Sequence, residues 1–169
     1  MWSTKMKTPL YLLAAVLVFV TTTMASSDPF VGRWALVPGH SKYAAGTCPK
    51  SMVIDMQTMG AGVRYWSDTT YPNGQNAHVN YTADYNGKQA LVTGSHGLLL
   101  PVSLKRIDSH TIVASYYKSF QVVATSRRVI SGSGRRMTIT TVSKDRSGKS
   151  VIAVGVYRKQ SESQHNGAN

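Results

Sequence analysis

The sequence predicts an all-β fold, a single antiparallel meander of about eight to ten strands. Three observations carry this. Beyond residue 25, runs of apolar and polar residues alternate with a period of two. Turn signals recur at close intervals, among them Pro72-Asn73-Gly74, Asn86-Gly87 and Ser131-Gly132-Ser133-Gly134. No stretch in that region sustains the i, i+3, i+4 apolar spacing of a helix.

Residues 1–25 stand apart. Lys5 and Lys7 make a basic start, Leu10 to Val20 is an apolar run, and Thr21 to Ala25 supplies small residues for cleavage. This reads as a secretory signal peptide, and hence as a periplasmic or secreted protein. The apolar run is shorter than the ~20 residues a membrane-crossing helix needs, so no stable membrane insertion is expected. Residues 26–160 are expected to form one barrel domain, and 161–169 a polar, disordered tail.

Strands are expected near 30–37, 50–57, 62–70, 76–85, 88–93, 101–107, 110–118, 120–131, 135–144 and 149–159. Met52, Ile54 and Met56 share a face, as do Ala77, Val79, Tyr81, Ala83 and Tyr85. Thr111 to Tyr117 has two mixed faces, with Ile112, Ala114 and Tyr116 on one and Val113 and Tyr117 on the other. The last run places Ile152, Val154, Val156 and Arg158 together. β-branched and aromatic residues dominate these segments, as half-buried strands prefer. Such a meander closes into a barrel or folds into a sandwich, which also removes exposed edges; the barrel is the expectation carried forward. The irregular segment 38–49 is expected to cap one end.

Of 169 residues, 144 remain after cleavage, enough for one domain that buries roughly two-thirds of its unfolded surface. Cys48 is the only cysteine, so no intramolecular disulfide can form. Lys and Arg number 19 against 7 Asp and Glu, an excess that favours anionic partners. The basic doublets Lys105-Arg106, Arg127-Arg128, Arg135-Arg136 and Arg158-Lys159 are dispersed, and neighbours on a strand point to opposite faces. Solubility is the simpler account of them.

Phe30-Val31-Gly32-Arg33-Trp34 resembles the F-x-G-x-W opening of lipocalins and fatty-acid-binding proteins, together the calycin superfamily. The wider run from Asp28, with Ser41-Lys42-Tyr43 and Val102 to Asp108, is similar to small secreted bacterial lipocalin-like proteins. The resemblance implies that Gly32 and Trp34 close the barrel floor and that an arginine of the last strand stacks on the indole. Arg158 is the candidate for that partner. The chain departs from the fatty-acid-binding branch in lacking its R-x-Y carboxylate-binding pattern near the C-terminus.

Chemistry finds little footing. The histidines at 40, 78, 96, 110 and 165 include no i, i+2 pair on a strand, so no metal site is expected. Gly94-Ser95-His96-Gly97 is not a nucleophile elbow, and the carboxylates are scattered through turns. No catalytic residue and no cofactor are therefore assigned. Arg64-Tyr65-Trp66 and Tyr116-Tyr117-Lys118 interleave bases with aromatics, but export argues against a nucleic-acid target. Two functions are carried forward. One is an exported binding protein whose interior holds a small, mostly apolar molecule, lined by Trp34, Met52, Ile54, Met56, Tyr65, Val79, Tyr81, Val113 and Tyr117. The other is a basic surface module for anionic envelope polymers, with no interior ligand.

Overall fold

A computed structural model describes residues 27–95 and 97–161. The expected signal peptide, His96 and residues 162–169 of the expected tail lie outside that range. Among the described residues the only helical element is one 3-10 turn, Pro38–His40.

The strands in chain order are β1 (Gly32–Leu36), β2 (Ser51–Met59), β3 (Gly62–Thr70), β4 (Asn76–Asp84), β5 (Asn86–Ala90), β6 (Thr93–Gly94), β7 (Gly97–Leu98), β8 (Val102–Asp108), β9 (Thr111–Lys118), β10 (Gln121–Ile130), β11 (Arg136–Lys144) and β12 (Ser150–Lys159). Ten of them fall on the expected segments. The additional pair, β6 and β7, is a two-residue ribbon inside a loop that the sequence marks only by its glycines. All twelve form one antiparallel sheet in the order β5-β8-β9-β10-β11-β12-β1-β2-β3-β4-β6-β7. β1 pairs with both β2 and β12, which carries the sheet around from the last strand to the first. The sheet comes round on itself where β4 lies alongside β5 and β8: Tyr85, between β4 and β5, accepts at its carbonyl from the Arg106 N–H at 3.4 Å. Tight turns follow the glycine signals, as at Gly60 and Gly74 with φ of +56° and +83°.

One end of the barrel is packed solid. Phe30, just before β1, and the strand residues Trp34, Ile54, Met56, Val63, Leu104, Ile112, Ile130 and Met137 are all buried there. Trp34 is seated by its indole N–H, which donates to the Phe30 carbonyl at 2.9 Å. Phe30 in turn is held by Asp28, whose carboxylate accepts from the Phe30 N–H at 3.1 Å and from the Tyr85 hydroxyl at 2.9 Å. Asp28 also pairs with Arg106, and that guanidinium lies 4.0 Å from the Tyr85 ring centroid and 5.5 Å from that of Phe30. The residues just before β1 thus plug the floor, sewn to β8 through a paired charge.

The cation over Trp34 is Lys159, with its ammonium 5.2 Å from the ring centroid. Arg158, the residue expected in that role, is exposed on the outer face. The reason is register: Trp34 stands opposite Lys159, so Gly155, Tyr157 and Lys159 turn inward while Ile152 and Arg158 turn outward. At Gly32 φ is +126°, and a Cβ there would come within 2.6 Å of Lys159 Cε.

Candidate ligand cavity

The other end of the barrel is hollow. Above the packed floor lies a cavity of about 510 Å³, open on one side, within the size range of small-molecule sites. Strands β2, β3, β4, β10, β11 and β12 all contribute to its wall, with Tyr116 from β9. The irregular segment before β2 adds Tyr43, Thr47 and Pro49, and the loop around β6 and β7 adds Val92, Leu99 and Leu100. Segment 38–49 therefore lies at the mouth, where Lys42 bridges to Val154 and fixes Tyr43 beside the opening.

The lining is mixed. Met52, Val79, Ile139 and Ala153 give apolar surface, and Ser67, Thr69, Ser126 and Thr141 give hydroxyls. Ser126 and Thr141 satisfy each other across β10 and β11, with oxygens 2.7 Å apart. Tyr65 and Tyr81 are direct cross-strand partners, and their rings stack at 4.6 Å between centroids. Gly155 makes room in the wall: a Cβ there would stand 2.8 Å from both the Tyr43 hydroxyl and the Tyr157 ring. The Tyr157 hydroxyl reaches Met52 Sδ at 3.2 Å.

Arg128 is the unusual group. It is 3% exposed and reaches the cavity from the middle of β10. Its Nε and Nη1 have no hydrogen-bond partner, and its best contact is from Nη2 to the Tyr116 hydroxyl at 3.5 Å. The guanidinium carbon lies 5.1 Å from the Tyr65 ring centroid. The Tyr81 hydroxyl, buried nearby, also lacks a partner. Burial works against the Arg128 charge, yet a guanidinium keeps its proton in a protein, and ionisation of Tyr81, Tyr116 or Tyr65 would only bind that proton more tightly. Burial pushes the Tyr81 hydroxyl strongly upward and raises that of Tyr65, with the nearby Arg128 charge opposing both. At neutral pH the site is thus one buried cation ringed by neutral phenols. Among the described residues no carboxylate lines it.

Of the residues expected to face the interior, Met52, Tyr65, Val79 and Tyr81 line the cavity. Trp34, Ile54 and Met56 point inward too, but lie buried in the floor beneath it. Val113 and Tyr117 sit on the other face of β9, where the Tyr117 hydroxyl meets Ser103 Oγ at 3.0 Å. Ile112, Ala114 and Tyr116 turn inward instead, because Arg128 stands opposite Ile112 and both are buried. Arg128 itself was concealed in the doublet Arg127-Arg128, which reads as surface charge. The signal that exposes it is period two, since Ser126, Arg128 and Ile130 form one face and Ile130 marks it as inner. Cys48 is half-buried and free, and His78 is exposed beside Ser95. Among the described residues no three His, Cys, Asp or Glu side chains gather as metal ligands.

No protein-family model matches the chain, and no curated protein matches it. Solved structures do. The zebrafish ileal bile acid-binding protein complexed with cholic acid is similar over 78% of this chain and 99% of its own, with a TM-score of 0.52 and 14% identity. The Schistosoma mansoni fatty acid binding protein in complex with arachidonic acid is similar over 79% of this chain and 98% of its own, with a TM-score of 0.55 and 14% identity. At that identity the likeness is one of fold alone, an antiparallel β-barrel.

Proposed function

We propose that the barrel is a binding protein, not an enzyme, for a small amphipathic molecule with an apolar body and an anionic head, carried outside the cytoplasm. The observation that carries this reading is Arg128, a buried cation with two unpartnered nitrogens on the wall of an otherwise largely apolar cavity. An unpaired buried charge costs several kcal/mol. An anionic head group would supply the missing acceptors, and charge-assisted hydrogen bonds are the strong kind. The apolar remainder would then lie along Met52, Val79 and Ile139, toward the mouth at Leu99 and Leu100. The two fold neighbours were solved in complex with carboxylic acids, cholic acid in one and arachidonic acid in the other, which agrees with this chemistry. The signal-like residues 1–25, and the likeness of the following run to secreted bacterial lipocalin-like proteins, support export.

The test is competition for a fluorescent apolar probe bound in the barrel. Long-chain carboxylic acids should displace it about tenfold more tightly than alcohols of equal length, and the preference should vanish in Arg128→Met. Equal displacement by acid and alcohol would remove Arg128 from the site. Failure of the probe to enter would remove the binding function itself.

A further inference from the structure

The rim of the open end carries a second feature. Strands β9 and β10 are joined by a two-residue turn, with Lys118 paired to Gln121 across it. Ser119 and Phe120, the turn residues, have φ of 47° and 66°, the only non-glycine residues with positive φ among those described. This turn type favours Asn-Gly, because a side chain at positive φ crowds the backbone. A phenylalanine there is an outlier. Nor is it packed to compensate, since Phe120 is 91% exposed. Neither local conformation nor burial accounts for the residue.

Its surroundings are apolar as well. Val122 and Val123 follow it and are exposed. Tyr117 N–H donates to the Pro101 carbonyl at 3.0 Å, which brings the loop ending in Leu98, Leu99 and Leu100 up to the same hairpin. All three leucines are exposed, and two of them also line the cavity. On the other flank Ala124 pairs with Ser143, so the β11–β12 turn lies beside the tip with Lys144, Arg146 and Lys149 exposed. The one carboxylate of that turn, Asp145, is engaged by its own loop, accepting from Ser147 N–H and Lys149 N–H at 2.8 and 3.0 Å.

We propose that this rim docks on a bilayer containing anionic lipid, with Phe120 entering the interface and Lys118, Lys144, Arg146 and Lys149 meeting the head groups. A protruding aromatic tip flanked by cations suits that interface, where apolar burial and attraction to anionic lipid add. A second copy of the chain is a poor occupant, because its own cations would face these. The apolar surface is continuous from the rim into the cavity through Leu99 and Leu100, so the docked mouth would open onto the membrane. That last link rests on the binding function proposed above; the docking does not.

Docking is measured by cosedimentation with vesicles of phosphatidylcholine, alone and with about a quarter phosphatidylglycerol. The full chain and the chain from Ser26 onward, which holds every core residue from Phe30 to Tyr157, are run side by side to separate the contribution of the N-terminal apolar run. Binding should require phosphatidylglycerol and weaken at high salt. Phe120→Gly should weaken it about tenfold or more, as expected for the loss of a buried aromatic side chain. The same variant should melt higher than the parent, since glycine relaxes the turn. Probe displacement from the cavity should be unchanged by it. Equal vesicle binding by parent and Phe120→Gly would overturn the proposal, as would binding indifferent to anionic lipid. So would a parent that sediments as a dimer and becomes monomeric in the variant, because the rim would then be a self-association surface.

Discussion

The two ends of this barrel treat the same residue types in opposite ways. At the floor, Arg106 is a half-buried cation with an assigned carboxylate, Asp28, and two aromatic rings stacked around it. In the hollow half, Arg128 is more deeply buried, and among the described residues no carboxylate lines the cavity it reaches. Tyrosines differ likewise: Tyr85 spends its hydroxyl on Asp28, whereas Tyr81 has no partner for its own. Polar groups satisfied at one end and left open at the other separate a region built for stability from one built to receive something.

The sharpest way to break this comparison is at the floor. Trp34→Ala should cost about 3–5 kcal/mol and lower the melting temperature by many degrees, read by circular dichroism. A loss under ~1 kcal/mol would mean that the indole is not the plug. Next come the two arginines, which should respond with opposite sign. Arg106→Met strands Asp28 and should destabilise by about 1.5–3 kcal/mol in urea unfolding. Arg128→Met removes an unpaired buried charge and should stabilise the ligand-free protein by about 1–4 kcal/mol. Two losses of equal size would contradict the division of the molecule drawn above. The smallest effect belongs to the cation over the indole. Lys159→Gln should cost ~0.5–1 kcal/mol, and Arg158→Gln, on the outer face, should cost nothing measurable.

The strands were legible because alternation and turn chemistry are local properties. The interval from Gly62 to Thr70, bounded by glycines and by Pro72-Asn73-Gly74, gives its strand without reference to anything else. The face was legible only where one side was clearly apolar. In β2, Ile54 and Met56 announce the interior and reach it. In β12 the pattern misleads: Ile152 is exposed, while Gly155 and the polar-tipped Tyr157 turn in. A wall that must leave space uses small residues and phenols, so its inner face looks less apolar than its outer one. The same reason hid much of the cavity. Ser67, Thr69, Ser126 and Thr141 belong to residue classes that usually mark a surface. Only the pairing between strands, a long-range fact, assigns them to the inside.

Gly155 has a consequence for how such a container changes its contents over evolutionary time. Adding one carbon at this position would force the phenol of Tyr43 or Tyr157 to swing aside. Movement into the hollow would shorten the space for a guest, and movement away would widen the entrance. On the binding function proposed above, selectivity for guest length would be poised on an absent methyl group, reachable by a single substitution.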